Sequence, residues 1–287
     1  MRRLFRWLSR QPLWLLHALG GVVGWIGYAT SGTYRRRLID HTRQAGVSAA
    51  DRRAAVAEAG RMVMETPMLW LRPADRPLNA LVHIEGAQLV DEAHAQGKGL
   101  LLLTPHLGCF EICAQAYAER FSGQYGPITV LFRPARHAWL REVMEGARQR
   151  PGLATAPASL AGVRQMIRAL RRGETVGLLP DQVPPEGMGV WAPFFGRSAY
   201  TMTLAARLAQ QTGATVLLIW GERRPRGAGY VVRFLPLGEA LPEDAEAQAE
   251  SAAAINRAME RLIRQCPRQY LWGYHRYKAP RTASPAA

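Results

Sequence analysis

The sequence predicts an α/β fold in which a mostly parallel or mixed central sheet is flanked by helices. From residue 80 onward, short apolar runs typical of strands alternate with stretches of helical periodicity. The chain has 287 residues, of which 48% are apolar and 21% charged, enough for one well-buried core. We therefore expect one main domain over residues 32–279, preceded by a separate N-terminal segment and followed by a disordered tail over residues 280–287.

The N-terminal segment, residues 1–31, is predicted to be a membrane anchor. An apolar run at residues 12–29 lies between two groups of arginines and has aromatic residues near both ends, as helices at a membrane interface often do. The run is at the short end of the ~17–25 residues that a spanning helix needs. A spanning helix, an interfacial helix and an apolar helix buried in the domain therefore stay open, and the GxxxG spacing of Gly20 and Gly24 favours helix packing.

The main domain begins with a predicted helix over residues 50–70. Strands are predicted where apolar and β-branched residues cluster, at 81–84, 99–104, 128–132, 175–179, 215–220 and 230–234. Helices are predicted near 87–96, 111–121, 137–149, 159–172, 201–212 and 243–265. In the helix over 159–172, Ser159 is the expected N-cap, Gly173 ends the helix, and apolar residues recur at helical spacing between them.

The charge is strongly basic, with 37 lysines and arginines against 22 aspartates and glutamates and a formal net charge of +15. A field of that sign attracts anionic partners, among which nucleic acid, anionic lipid headgroups and acidic carrier proteins all qualify. Arginine makes up almost all of the excess, and its planar fork suits phosphate. The three cysteines argue against a disulfide framework and fit a reducing compartment.

The segment LLLLTPHLGCFE, residues 100–111, is the most informative one for chemistry. His106 follows a predicted strand at its carboxyl end, which is where ligands bind in open α/β sheets. Glu111 comes five residues later, so the first helical turn can fold its carboxylate back to the imidazole. A carboxylate on one ring nitrogen fixes the tautomer and leaves the other nitrogen free to take a proton from an alcohol. Gly108 permits close approach of a substrate, and free amides at the helix start can meet a developing oxyanion.

Further blocks follow in order. They are Leu131-Phe-Arg-Pro134, Gly177-Leu-Leu-Pro-Asp-Gln182, Pro193-Phe-Phe-Gly196 with Thr201 downstream, and QYLWGYHRYK at residues 269–278. Together with the His106–Glu111 segment, they resemble the late lipid A biosynthesis acyltransferases of lauroyl or myristoyl type, within the His-x4-Asp/Glu glycerolipid acyltransferase superfamily. The resemblance runs from the N-terminal apolar run to about Lys278. One departure is Asp40-His41-Thr42, where this family often has asparagine, and we interpret His41 as a helix-surface residue.

The resemblance implies an acyltransferase in which His106 is the general base and Glu111 its partner. It implies that a fatty acyl chain moves from a thioester to a hydroxyl of a phosphorylated, Kdo-bearing lipid A precursor, without a cofactor or a metal. The implied donor is acyl carrier protein, and acyl-coenzyme A would also suit the basic charge through its phosphates. An acyltransferase that uses acyl-coenzyme A and acts on another glycolipid or on an aminolipid stays open as an alternative. The implied location is the cytoplasmic face of the bacterial inner membrane, against an anionic membrane surface.

The substrate-binding candidates are Arg133, Asp181, Gln182, Gly108 and Thr201. Arg133 follows a strand, as His106 does, and an arginine there can hold a phosphate. Asp181 and Gln182 follow the strand at 175–179 and can orient a sugar hydroxyl or hold Arg133, although Pro-Asp is also ordinary turn chemistry.

Other classes of function fit less well. A nucleic-acid binder would explain the charge, but no zinc-finger, helix-turn-helix or RNP signature is present, so we expect no nucleic acid. A zinc site at His106, Cys109 and Cys113 would lack a fourth ligand. A hydrolase would need another nucleophile, since no Gly-x-Ser-x-Gly segment occurs. Two alternatives remain: the protein is a non-enzymatic membrane scaffold, or His106 is a structural histidine. Neither alternative explains why His106, Arg133 and Asp181 each follow a predicted strand.

Overall fold

The structure, a computed structural model, describes residues 2–73, 76–132, 143–144, 146, 150–244 and 246–281. The strands are β1 Val82–Glu85, β2 Leu100–Leu103, β3 Ile128–Phe132, β4 Leu153–Pro157, β5 Thr175–Leu178, β6 Gly189–Phe194, β7 Arg197–Met202, β8 Thr215–Arg223 and β9 Tyr230–Pro236. The helices are α1 Arg2–Ser9, α2 Leu13–Thr30, α3 Gly32–Gln44, α4 Ala49–Trp70, α5 Ala87–Ala95, α6 Phe110–Tyr125, α7 Leu160–Arg171, α8 Leu204–Thr212 and α9 Gln248–Gln265, with short 3₁₀ turns at Pro225–Gly227 and Pro267–Gln269.

A mixed sheet forms the centre of the described protein, in the order β1-β9-β8-β2-β5-β3-β4. Neighbouring strands are parallel except β8 and β9, which are antiparallel. The α/β prediction is confirmed. The separate β6–β7 hairpin packs against α9, where the Asn256 amide donates to the Pro193 carbonyl over 2.8 Å.

Strand β2 lies at the middle of the sheet because its four leucines have apolar layers on both sides. Leu101 and Leu103 join one core cluster, Leu100 and Leu102 join the other, and all four are buried. A parallel strand covered on both faces requires such an uninterrupted apolar run. The same burial fixes the register, in which Leu103 lies opposite Leu178 of β5.

The prediction missed three strands. Strand β4 is rich in alanine and threonine and ends in proline, so it lacks an apolar pattern, and it lies at the sheet edge where proline is tolerated. The β6–β7 hairpin was also missed, and the helix predicted over 201–212 begins at Leu204 because Thr201 and Met202 complete β7. The helix predicted over 243–265 begins at Gln248. The helix predicted near 137–149 and the tail predicted over 280–287 lie largely outside the described residues.

The apolar N-terminal run forms helix α2, which packs against α4 through glycines. A Cβ at Gly60 would lie 2.0 Å from the Gly20 carbonyl oxygen, and a Cβ at Gly24 would lie 2.1 Å from that of Val56. The two backbones therefore touch directly, which larger side chains would prevent. The GxxxG spacing marks a packing face of α2.

The opposite face of α2 is uncovered and apolar. Trp14, Val22 and Ile26 are each more than half exposed, and Trp7 of the preceding helix α1 is exposed to a similar degree. Among the described residues, α2 is the one helix long and apolar enough to cross a membrane by length and composition alone. Helix α2 thus serves the fold with one face and remains a candidate anchor with the other.

Replacing Gly24 by alanine should force α2 away from α4. Overpacking of this kind typically costs ~1–3 kcal/mol, so the thermal midpoint of the full-length protein in detergent should fall. Gly27→Ala is the matched control in the same helix, since a Cβ there meets no atom within 4 Å. Alanine is the better helix former by about 1 kcal/mol, so this control should not lower the midpoint. Equal midpoints for both variants would show that α2 is not packed as described.

Candidate active site

The turn between β2 and α6 carries His106, and backbone hydrogen bonds hold it from two sides. The Gly108 amide donates to the Gln269 carbonyl (3.0 Å) and the Cys109 amide to the Gly221 carbonyl (2.8 Å), while Leu271 donates to the His106 carbonyl (3.1 Å). Gly108 has φ +58°, and a Cβ there would lie 2.0 Å from the Gly221 oxygen. Only glycine fits this position, because the backbone of Gly108 packs directly against that of Gly221.

The imidazole of His106 lies between two side chains that follow β5. Its Nδ1 is 2.7 Å from Oδ1 of Asp181, and its backbone amide donates to Oδ2 of the same carboxylate over 3.0 Å. Its Nε2 is 2.9 Å from the amide nitrogen of Gln182. Since an ionised carboxylate accepts only, Nδ1 donates to Asp181, and Nε2 accepts from Gln182.

The charge on Asp181 is maintained despite nearly complete burial, at 2% exposure. Burial alone would raise the pKa of Asp181, but the His106 charge and hydrogen bonds outweigh it and hold this pKa below its ordinary value. The carboxylate therefore stays ionised and can offset the positive charge that the imidazole would gain by taking a proton. The ring of Phe110 covers one side of the imidazole, with centroids 4.7 Å apart.

The expected contact between Glu111 and His106 is not formed in the structure. Oε2 of Glu111 accepts from the indole nitrogen of Trp70 over 3.1 Å, because the start of α6 directs this side chain toward the end of α4. Asp181, expected to orient a sugar hydroxyl or hold Arg133, takes the contact instead. The sequence feature that indicates this contact is the equal distance of both residues from paired strand ends. Leu103 pairs with Leu178, and His106 and Asp181 each lie three residues after these leucines.

The other site candidates are distributed differently. Gln182 joins His106, as described, and Arg133 lies outside the described residues. Thr201 is buried within the hairpin, where its hydroxyl donates to Ala199 and accepts from Asn256 and Arg276. These bonds use the full hydrogen-bonding capacity of its hydroxyl, so Thr201 supports the hairpin. His41 is also buried, with Nδ1 2.8 Å from the Trp272 carbonyl, and the helix-surface interpretation of it is wrong.

Two backbone amides at the start of α6 are available to a ligand. In the described part of the chain, the amides of Phe110 and Glu111 have no hydrogen-bond partner, since the helical ladder starts with Ile112. They sit at the positive end of the α6 dipole, directly after the turn that carries His106. Such amides can stabilise an oxyanion.

An imidazole oriented by a buried carboxylate at the carboxyl edge of an α/β sheet is an arrangement that can take a proton from a hydroxyl group. A family model described as Bacterial lipid A biosynthesis acyltransferase matches residues 46–279. The match spans well over half of the chain and includes the whole described site, and the protein belongs to this family.

Curated relatives agree with the family. The chain is 29% identical over 221 residues to the lipid A biosynthesis lauroyltransferase of Escherichia coli K12, a match that covers 76% of this chain and 69% of the relative. It is 28% identical over 236 residues to the lipid A biosynthesis palmitoleoyltransferase of the same strain, with 80% and 74% covered. A lipid A biosynthesis acyltransferase of Haemophilus influenzae is 26% identical over 187 residues, with 65% and 56% covered.

The cysteines next to the site should be unreactive. Cys109 and Cys113 are buried, and burial raises the pKa of both thiols, that of Cys109 well above its usual range. Iodoacetamide at pH 8 should therefore leave both unmodified in the folded protein and alkylate both after denaturation, as read by mass spectrometry of the peptides. Rapid, complete alkylation of either cysteine in the native state would show that a thiolate is exposed beside His106.

Proposed function

We propose that the protein transfers a fatty acyl chain from a thioester donor to a hydroxyl of a lipid A precursor, with His106 as general base. The observation that carries this proposal is the arrangement of His106, whose Nδ1 is held by ionised Asp181 while Nε2 is an acceptor. The resting partner of Nε2 is the neutral amide of Gln182, which an incoming hydroxyl can replace.

In the proposed reaction, the acceptor oxygen attacks the thioester carbonyl as its proton moves to Nε2 of His106. The carbonyl oxygen becomes an oxyanion, for which the free amides of Phe110 and Glu111 are suitably polarised donors. When the carbon–sulfur bond breaks, the imidazolium returns the proton to the leaving thiolate. Asp181 stabilises the imidazolium throughout, and no acyl chain is attached to the protein, which is consistent with the buried, protonated cysteines.

Glu111 is proposed as a second carboxylate of this site. It is bonded to Trp70 and lies at the first turn of α6, next to Phe110, which touches the His106 ring. Its negative charge can favour the imidazolium without orienting the ring. In this proposal, Asp181 orients the imidazole of His106, and the negative charge of Glu111 stabilises the imidazolium without contacting it.

Charge supports the proposed substrates. A net charge of +15 suits an acidic acyl carrier protein, and it also suits the phosphates of acyl-coenzyme A. A phosphorylated glycolipid acceptor brings further anionic groups. We propose that Arg133, which follows β3 in the sequence, binds one of these phosphates. We also propose that the Gln182 side chain, once the acceptor hydroxyl has displaced it from Nε2 of His106, forms a hydrogen bond to that hydroxyl.

We propose that the exposed face of α2 lies in the cytoplasmic leaflet of the inner membrane and brings the site to its lipid acceptor. Its uncovered apolar residues and the arginines on both sides support membrane attachment, since a basic residue close to an anionic leaflet contributes about 1 kcal/mol. A donor made in the cytoplasm requires the main domain to face that side.

Activity is testable with the full-length protein in detergent. Mass spectrometry should find one added acyl chain on a Kdo-bearing phosphorylated lipid A precursor when a thioester donor is supplied as acyl carrier protein or as acyl-coenzyme A. His106→Gln is the matched inactive control. Lipids from cells with and without the gene should differ by the same acyl mass. No mass gain with either donor, and unchanged lipids in cells, would contradict the proposed function.

The two carboxylates should differ in their effect on kcat. Asp181→Asn should lower kcat by ~10²–10⁴, because the imidazole loses both its orientation and its counter-charge. Glu111→Gln should cost a smaller factor. Combining His106→Gln with Asp181→Asn should cost little more than His106→Gln alone, because the pair acts as a unit.

Asp91→Asn, at an exposed carboxylate bonded to Tyr125, is the control for removing a negative charge elsewhere and should retain wild-type kcat. If Asp181→Asn kept more than about a tenth of the wild-type rate while Glu111→Gln lost it, the orienting carboxylate would be Glu111, as the sequence predicted.

A further inference from the structure

A cluster of buried charges lies directly beneath the catalytic turn. We call Arg223, Glu58, Glu65, His17 and Tyr230 the buried charge cluster. Arg223 bonds both oxygens of Glu65, at 2.8 Å from Nε and 2.6 Å from Nη2, and its Nη1 is 2.7 Å from Glu58. Oε2 of Glu65 is also bonded by Nε2 of His17 at 3.0 Å and by the Tyr230 hydroxyl at 3.1 Å.

The buried charge cluster is bonded to the turn through Arg223. Its Nη2 donates to the Gly108 carbonyl over 3.0 Å. Its backbone exchanges two hydrogen bonds of 2.9 Å with the side chain of Gln269. The backbone carbonyl of Gln269 in turn accepts from the Gly108 amide. Gly108 is thus held at both its amide and its carbonyl, two residues after His106.

The buried ion pair between Arg223 and Glu65 makes both residues difficult to replace. Arg223 is 4% exposed and Glu65 is 1% exposed. Burial alone would raise the pKa of Glu65, but Arg223 and His17 outweigh it and lower this pKa to about 2. Both charges therefore persist, and removing one partner leaves the other buried and uncompensated. Lysine cannot replace Arg223, because it has no fork to hold both oxygens of Glu65 and the Gly108 carbonyl.

The cluster also joins α2 to the catalytic turn. His17 belongs to α2, Glu58 and Glu65 belong to α4, Arg223 ends β8 and Tyr230 begins β9, so four elements meet in the buried charge cluster. A helix that only attached the protein to a membrane would not need a buried hydrogen bond from its single histidine to an ionised carboxylate.

We propose that Arg223 is a positioning residue for acyl transfer and that His17 of α2 is part of the same support, so that the apolar helix helps to set the position of His106. This inference rests on the proposed function. It makes α2 a component of the active site as well as a candidate anchor.

The first test compares Arg223→Lys with Arg233→Lys in the full-length protein in detergent. Arg233 is the matched control, since it also pairs with two carboxylates, Glu85 and Glu222, but its guanidinium forms no hydrogen bond to the described residues of the turn. Arg223→Lys should lower kcat by about 10-fold to 10²-fold with KM changed less than about threefold, because small displacements of a catalytic group have effects of that size. Arg233→Lys should leave both constants unchanged.

Hydrogen exchange separates positioning from general stability and needs no substrate. In Arg223→Lys, the amides of Gly108 and Cys109 should exchange faster, while those of Leu101 and Leu102 in β2 should keep their wild-type protection. Uniformly faster exchange across β2 and the turn, with kcat per folded molecule unchanged, would reduce Arg223 to a stabilising role and overturn the inference.

The second test uses His17 and remains decisive if Arg223→Lys does not fold. His17→Leu makes α2 more apolar, so attachment alone predicts full activity in vesicles. We expect instead a loss in kcat of roughly three- to tenfold in both detergent and vesicles, since Glu65 loses a donor and holds Arg223 less firmly. His17→Gln, which can present an amide N–H near the position of Nε2, should restore most of the rate.

The outcomes distinguish this inference from the proposed function. A wild-type protein that transfers no acyl chain would overturn both. An active wild type with equal kcat in His17→Leu, or with no rescue by His17→Gln, would overturn the inference alone.

Discussion

The parallel pairing of β2 with β5 is the constraint on which the site depends. With Leu103 opposite Leu178, His106 and Asp181 leave the same edge of the sheet after equal lengths of chain and meet at 2.7 Å. A slip of one residue would move Asp181 by about 3.3 Å and turn the apolar side chains of a strand to the wrong faces. The burial of all four leucines of β2 therefore fixes the position of His106 relative to Asp181, although both residues lie beyond the ends of their strands.

The turn that carries His106 is held by segments distant in sequence. Gly221 and Arg223 at the end of β8, and Gln269 and Leu271 near the C-terminal end of the described chain, all bond its backbone. Loops that carry catalytic groups need a rigid scaffold, and here the scaffold includes two buried glutamates of α4. Since α4 also packs against the glycines of α2, a single helix separates the exposed apolar face of α2 from the turn that carries His106.

Strands with a local apolar pattern can be predicted from the sequence, whereas strands and contacts that depend on pairing with a distant segment cannot. The leucines of β2 predict a buried strand by themselves, whereas the alanine-rich strand β4 is formed only by its place beside β3. His106 was identifiable from its position after a strand. Local spacing predicts Glu111 as its partner, whereas the contact with Asp181 depends on strand register, which a sequence does not show. Arg223 gave no signal, since arginines are usually exposed and this one is buried only because two glutamates from α4 reach it.

The central claim is that Asp181 holds neutral His106 with the proton on Nδ1 and the lone pair on Nε2. The most direct measurement is ¹⁵N NMR of the protein labelled at histidine, with the His106 signals identified by their loss in His106→Gln. At a pH where this imidazole is neutral, Nδ1 should appear as the protonated nitrogen and Nε2 as the unprotonated one. Asp181→Asn should remove this preference. A neutral His106 with its proton on Nε2 in the wild-type protein would contradict the account, because the nitrogen assigned to accept the hydroxyl proton would already carry one.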